Sequence, residues 1–238
     1  MRALTCLLLF GFVLWGQSKR PVEEFETAAG AVKITPIRHA SVLIQAAGQA
    51  IYLDPTSDGD YAELPSASLI LITDIHPDHL DIGRLTLLRR PATVIIAPEA
   101  VAKSVPEASV IRIGETKHFG KWKIEAIAAY NLPGQPGARI FHEKGRGVGY
   151  VLGYGGKRFY FSGDTQNIPE MRALKNIDVA FVCMNLPYTM PPAEAAEAVR
   201  AFKPAIVYPY HYKGSDLTVF EKALAGSGIE VRIRDWYY

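Results

Sequence analysis

Cysteine is scarce in this chain: there are two in 238 residues, Cys6 and Cys183. A disulfide framework is therefore excluded as the basis of the fold. Cys183 sits in the apolar run 179–184 with no histidine near it in sequence, so it reads as a small core residue. An excess of charge of one sign is also missing. The 26 basic and 24 acidic residues leave a net charge of +2, with no lysine or arginine run, so no nucleic-acid partner is expected. Repeats and low-complexity segments are absent too, which sets aside solenoids and disordered tails. The apolar and charged fractions of 49% and 21% are those of an ordinary globular protein, long enough for one large domain.

Long hydrophobic runs are missing as well. The N-terminal run from Ala3 to Trp15 covers about 13 residues, short of the roughly 20 that a bilayer-spanning helix needs. With Arg2 before it and Gly16-Gln17-Ser18 after it, residues 1–18 are expected to form a secretory signal peptide, making the protein periplasmic or extracellular. Left uncleaved, the same segment would be a membrane anchor and the chain's one membrane contact; a buried helix is the third reading. Residues 19–30 are charged and poor in large apolar side chains, and are expected to be a linker into a single domain at 31–238.

From residue 31 onward, short apolar and alternating segments mark strands at 32–37, 41–45, 50–53 and 69–72. A helix is expected over 82–90, a strand at 92–97 and a short helix opened by Pro98. Further strands are expected at 110–113, 122–128, 149–154, 157–162, 178–184, 205–210 and 230–234. Helices at 192–202 and 217–225 separate the last three. The pattern is α/β with mixed sheets.

Metal-binding residue types gather after the apolar run at 69–72. There Thr73-Asp74-Ile75-His76-Pro77-Asp78-His79 places four candidate ligands within six positions of a strand end. In extended chain, alternate side chains point the same way, so Asp74, His76 and Asp78 are expected to converge while His79 turns to a neighbouring point. That suits two adjacent cations, which would need more ligands from elsewhere.

The segment resembles the metal-binding turn His-x-His-x-Asp-His of the metallo-β-lactamase superfamily, with Asp74 in place of the first histidine. A carboxylate there shifts preference from zinc towards manganese or iron. The resemblance implies a four-layer αββα sandwich with the metal site at the rim between two facing sheets. It also implies two divalent metal ions, zinc, manganese or iron, that generate a hydroxide nucleophile. Asp164, in Gly163-Asp164-Thr165, matches the carboxylate that bridges the cations, and His211 matches the last ligand of the site shared by Asp78 and His79. Asp78 would orient the hydroxide, making Asp78 and Asp164 the catalytic pair.

Where the family carries its remaining histidine, this chain has Tyr130-Asn131, and His142 follows a short loop downstream. Imidazole is the better ligand for a transition metal than a neutral amide, so His142 is expected to serve in place of Asn131. This arrangement looks like the branch related to the ascorbate-6-phosphate lactonase-like proteins. Asp54 is expected to orient a ligand imidazole, His39 to border the site or touch substrate, and Arg146, with Lys144, to receive a phosphate or carboxylate. His118 is expected at the surface.

The implied activity is hydrolysis of an ester, lactone or phosphodiester bond in a small-molecule or lipid substrate. An N-acyl-phospholipid-type phosphodiesterase is the alternative among hydrolases, and a metal-binding protein without turnover is the alternative outside them.

Overall fold

In a computed structural model, the structure describes residues 20–134 and 139–237, so the expected signal segment at 1–18 lies outside the described residues. The first half of the chain forms one sheet from β1 (Glu23–Phe25), β2 (Val32–Arg38), β3 (Ser41–Ala46), β4 (Gln49–Leu53), β5 (Leu69–Leu71), β6 (Val94–Ala97) and β7 (Ser109–Val110), in sequential order. Helices α1 (Ile82–Leu88) and α2 (Glu99–Ala102) carry the parallel crossovers from β5 to β6 and from β6 to β7. The second half repeats the plan in reverse spatial order. Its strands are β8 (Thr116–Phe119), β9 (Trp122–Ala129), β10 (Gly147–Tyr154), β11 (Lys157–Phe161), β12 (Val179–Cys183), β13 (Ile206–Tyr210) and β14 (Glu230–Val231). Here α3 (Pro169–Arg172), α4 (Pro192–Phe202) and α5 (Leu217–Leu224) make the crossovers between the parallel strands β11 to β14.

Side-chain alternation explains why these sheets stack in four layers. On β3 to β5, Val42, Ile44, Ile51, Leu53, Leu69 and Leu71 face inward and join Ile124, Tyr150 and Phe161 of the second sheet in one buried cluster. Their neighbours Leu43, Tyr52, Ile70 and Ile72 face outward and bury against Leu85 and Leu88 of α1 and Val101 of α2. A sheet apolar on both faces must be covered on both. On the far side, α4 closes the second sheet with Ala195, Val199 and Phe202, and α5 with Phe220 and Leu224. The αββα sandwich implied by the sequence resemblance is the observed architecture.

Two strands went unread in the sequence, and both are edges. Residues 19–30 are not a plain linker, because Glu23–Phe25 pairs antiparallel with Val32–Ile34 as β1. Phe25 caps the inter-sheet core against Phe159, with ring centroids 5.6 Å apart. Thr116–Phe119, where no strand is expected from the sequence, pairs with β9 as β8, leaving His118 exposed as expected. Charged side chains suit an open sheet edge and hide the strand signal. At the other extreme, α1 stops at Leu88, and Arg89 is already extended, since the residue before Pro91 disfavours helix.

Glu23 ties the N-terminal edge to the last strand. Its carboxylate accepts hydrogen bonds from Arg234 Nε, at 2.5 Å, from Arg232 Nη1, at 3.2 Å, and from the Tyr208 hydroxyl, at 2.6 Å. Burial acts to raise its pKa, but Tyr208 and the two arginines outweigh it and hold the carboxyl below its ordinary 4.5. A depressed folded-state pKa stabilises the fold above the unfolded value and is lost as pH falls through the folded one. Glu23→Gln is expected to cost about 1–2 kcal/mol at neutral pH. Thermal melts at pH 7 and pH 3 check this: the gap between variant and wild type should shrink at the lower pH.

Candidate metal centre

The site assembles at the carboxyl ends of strands from both sheets. Leu71 of β5 leads into the 73–79 turn, Leu53 of β4 into Asp54, Ala129 of β9 into Asn131, Phe161 of β11 into Asp164, and Tyr210 of β13 into His211. This is where an α/β sheet presents its ligand-binding groups. His39, Asp54 and His211 all take left-handed backbone, with φ of 55°, 44° and 47°. Side chains resist that conformation, so it persists where surrounding bonds enforce it. Here His211 N–H donates to His39 O and His39 N–H to Trp236 O, both at 3.3 Å.

Three sets of donors lie close enough to share an ion: Asp74, His76 and His142; His79, Asp164 and His211; and His39, Asp78 and His211. Asp164 sits between the first two sets. Its Oδ2 is 3.0 Å from His142 Nε2 and 3.4 Å from His79 Nε2, and its Oδ1 is 3.3 Å from His211 Nε2. Asp78 does not converge with Asp74 and His76, as alternation along the turn suggested. The turn is not extended: His79 and Leu80 both donate their backbone N–H to His76 O. That reversal swings Asp78 Oδ2 to 3.4 Å from His211 Nε2 and 3.2 Å from His39 Nε2.

Neighbouring groups fix which imidazole nitrogen faces the centre. Asp54, fully buried, accepts from Thr73 N–H at 2.7 Å and from the Thr73 hydroxyl at 2.6 Å. Its Oδ2 is also 2.8 Å from His79 Nδ1, which therefore carries a proton and leaves Nε2 as the nitrogen turned inward. Asn131 performs the same service for His142. Its Oδ1 accepts the backbone N–H groups of Phe141 and His142 and lies 3.2 Å from His142 Nδ1. The amide thus orients the imidazole, and His142 rather than Asn131 faces the centre. His79 Nε2, His142 Nε2, His211 Nε2 and Asp164 Oδ1 are all buried without a hydrogen-bond partner. Buried polar atoms of this kind call for a partner, and three imidazole nitrogens around a carboxylate fit a divalent transition metal.

Charge is arranged to match. Burial acts to raise the Asp164 pKa, but His211 and His79 overcome it and hold the carboxyl well below its usual range. Burial likewise disfavours a charged His79, yet Asp164 and Asp54 outweigh it and lift its pKa. For Asp78, burial is outweighed by the neighbouring imidazoles of His211, His39 and His79, so it stays ionised. His39 goes the other way: burial lowers its pKa despite Asp78. Cys183 is fully buried and its thiol is pushed up to about 12, mainly by burial, in keeping with a core role.

Arg146 and Lys144 are already engaged. Arg146 donates through Nε to Asp74 Oδ1 at 3.0 Å and through Nη2 to Asp74 Oδ2 at 2.8 Å. Lys144 Nζ meets Glu170 at 3.2 Å and the Tyr130 hydroxyl at 3.2 Å. Neither is poised to receive an anion, because each has a protein carboxylate beside it. Tyr237 is a site residue that the sequence gave no hint of; its hydroxyl is 2.7 Å from His39 Nδ1. Its partner lies 198 positions away, and no local pattern reports such a pair. Above the centre opens a cavity of about 780 Å³ lined by His39, His76, Asp78, His142 and Asp164 and walled by Arg38, Arg139, Phe141, Leu186, Tyr188 and Lys213.

Two stacked sheets flanked by helices, with histidines and aspartates gathered at one rim, define the metallo-β-lactamase fold. Residues 33–211 match the family model described as the Beta-lactamase superfamily domain. The chain belongs to this superfamily and, within it, to the UPF0173 metal-dependent hydrolase family. A member from Thermococcus kodakarensis is 30% identical over 193 residues, covering 76% of this chain and 84% of its own. A crystal structure of a candidate metal-dependent hydrolase from Parabacteroides distasonis is 41% identical, superposes with a TM-score of 0.86, and covers 90% of this chain and 98% of its own. A metallo-beta-lactamase fold protein of Bacillus subtilis, 14% identical with a TM-score of 0.68 over 84% of this chain and 90% of its own, shares the fold.

Proposed function

We propose that this protein hydrolyses an ester, lactone or phosphodiester bond in a small molecule or lipid headgroup, using a divalent metal held by His79, Asp164 and His211. The observation that carries this reading is the set of buried, unpartnered donor atoms on those three residues, of which Asp164 also lines the cavity. A cation bound there would polarise a substrate oxygen and bring a water molecule towards ionisation near neutral pH. Zinc and manganese both suit the mixed imidazole and carboxylate donors.

The chain's own groups supply the rest. Asp78, ionised and fixed by His39, accepts a hydrogen bond from the attacking water and sets its direction. Asp54 and Asn131 keep the His79 and His142 rings in the productive tautomer. At the mouth, Arg139 and Lys213 favour an anionic substrate, while Phe141, Leu186 and Tyr188 offer apolar contact. That mixture supports a phosphorylated or carboxylated substrate with an apolar portion, which keeps both the ascorbate-6-phosphate lactonase-like branch and a phospholipid-type phosphodiester within the proposal. Among the described residues no helix is long and apolar enough to cross a membrane. Export through residues 1–18 remains part of the same proposal.

The test is to strip the purified protein with a chelator, reload it with zinc or manganese, and assay lactones, carboxylic esters and bis-phosphodiesters. Turnover of one class, lost on chelation and restored by metal, is the expected result. Bound metal without turnover across the whole panel overturns the hydrolase reading in favour of a metal-binding protein.

A further inference from the structure

Asp74 occupies the position of a histidine in the metal-binding turn, and the structure shows what this exchange brings with it. Both of its oxygens are taken. Oδ1 accepts the Ile75 N–H at 2.7 Å and Arg146 Nε at 3.0 Å; Oδ2 accepts Arg146 Nη2 at 2.8 Å. Oδ2 is the oxygen that faces His76 Nδ1, at 3.5 Å, and His142 Nε2, at 3.8 Å. The atom that would ligate a first cation is therefore the atom that receives a guanidinium proton.

Arg146 is held in that place from several sides. Nη2 also donates to Phe141 O at 2.8 Å and lies 3.2 Å from His76 Nε2. A bidentate arginine–carboxylate pair is both strong and geometrically exact in its demands, and a guanidinium does not give up its charge in proteins. A dication placed among Asp74, His76 and His142 would lie against this fixed positive charge, and the repulsion is not damped by open solvent, because Asp74 is buried. The second cluster has no such occupant, and its donors His79 Nε2, His211 Nε2 and Asp164 Oδ1 are unpartnered. His142 Nε2 is unpartnered too, but it lies nearer Asp164 Oδ2, at 3.0 Å, than Asp74 Oδ2. It addresses the central carboxylate rather than the first cluster.

We propose that the protein binds a single catalytic cation, at His79, Asp164 and His211, and that the Arg146 guanidinium, locked on Asp74, takes the place of the second. This rests on the hydrolase reading above and replaces the expectation of two metal ions. It also removes the argument that Asp74 would favour manganese or iron, because its carboxylate is neutralised by Arg146 instead of serving as a hard ligand. Arg146 is then a positioning residue that keeps a permanent positive charge where relatives with the full histidine turn would place an ion.

The experiment counts metal in the full chain. Wild type and the variants Arg146→Met, Arg146→Lys and His79→Ala are stripped, reloaded separately with excess zinc or manganese, desalted, and measured by elemental analysis, with electron paramagnetic resonance on the manganese samples. Wild type and Arg146→Lys are expected to hold one ion per chain with an uncoupled manganese signal. Arg146→Met is expected to rise towards two ions with a spin-coupled signal, and His79→Ala to fall to less than a tenth of the wild-type content. Circular dichroism confirms that each variant is folded. Two ions and a coupled signal in wild type overturn the single-cation inference and leave the hydrolase reading standing. No ion in wild type overturns both.

Discussion

Asp164→Asn is expected to lower kcat/KM more than about 100-fold, beyond the roughly 10- to 100-fold typical of losing an outer partner of a metal ligand, and to strip the centre of bound metal. The substitution keeps the shape of the side chain and removes its charge. Asp164 is 5% exposed, and its two oxygens face His142, His79 and His211 at 3.0, 3.4 and 3.3 Å. No other carboxylate reaches all three imidazoles among the ion pairs of the described residues, so nothing nearby can take over. Metal content and steady-state kinetics, measured on protein shown to be folded by circular dichroism, decide the matter. Wild-type metal content in the variant would remove Asp164 from the site.

The second large effect is on folding. Gly149, in the middle of β10, has no room for a methyl group: a Cβ there would sit 2.7 Å from Phe161 O and 2.6 Å from Ser162 O. Both are backbone atoms of the adjacent segment, at the end of β11, and cannot rotate away. Gly149→Ala must therefore push β10 and β11 apart, and overpacking of this kind costs about 3 kcal/mol at its upper end. For a chain of this size that corresponds to a fall of roughly 6–12 °C in Tm. The damage should reach the metal centre, because Ser162 is two residues from Asp164. Gly153→Ala provides the control on the same strand. Its nearest neighbour is the Lys123 Cβ at 3.4 Å, an ordinary contact. Equal losses in the two variants would show that the close backbone approach at Gly149 is not the cause.

Much of this architecture is legible in the amino-acid sequence. Apolar runs such as 69–72 and 179–183 announce strands buried on both faces, because burial demands an unbroken apolar text. The candidate site residues followed by the same logic: the turn from Asp74 to His79, Asp164 and His211 each stand where such a run stops. What escaped was whatever depends on a distant partner. Arg146 looked like an anion receptor because its carboxylate, Asp74, is 72 positions away. Asn131 looked like a failed ligand because its task, holding Phe141 and His142 by three contacts to one oxygen, two of them from His142, exists only once the loop has folded. The family resemblance already grouped Asp78 with His211; what a picture of extended chain does not contain is the tight reversal that takes Asp78 away from His76.

The bond between His39 and Tyr237 has a bearing on how the protein comes into being. His39 leaves the ribosome 198 residues ahead of the hydroxyl that steadies its ring. Trp236, whose carbonyl accepts the His39 N–H, arrives alongside it. A nascent chain therefore carries the whole 74–79 turn well before the wall behind Asp78 can be set in place, and any capacity to capture a cation properly waits for residues 236 and 237.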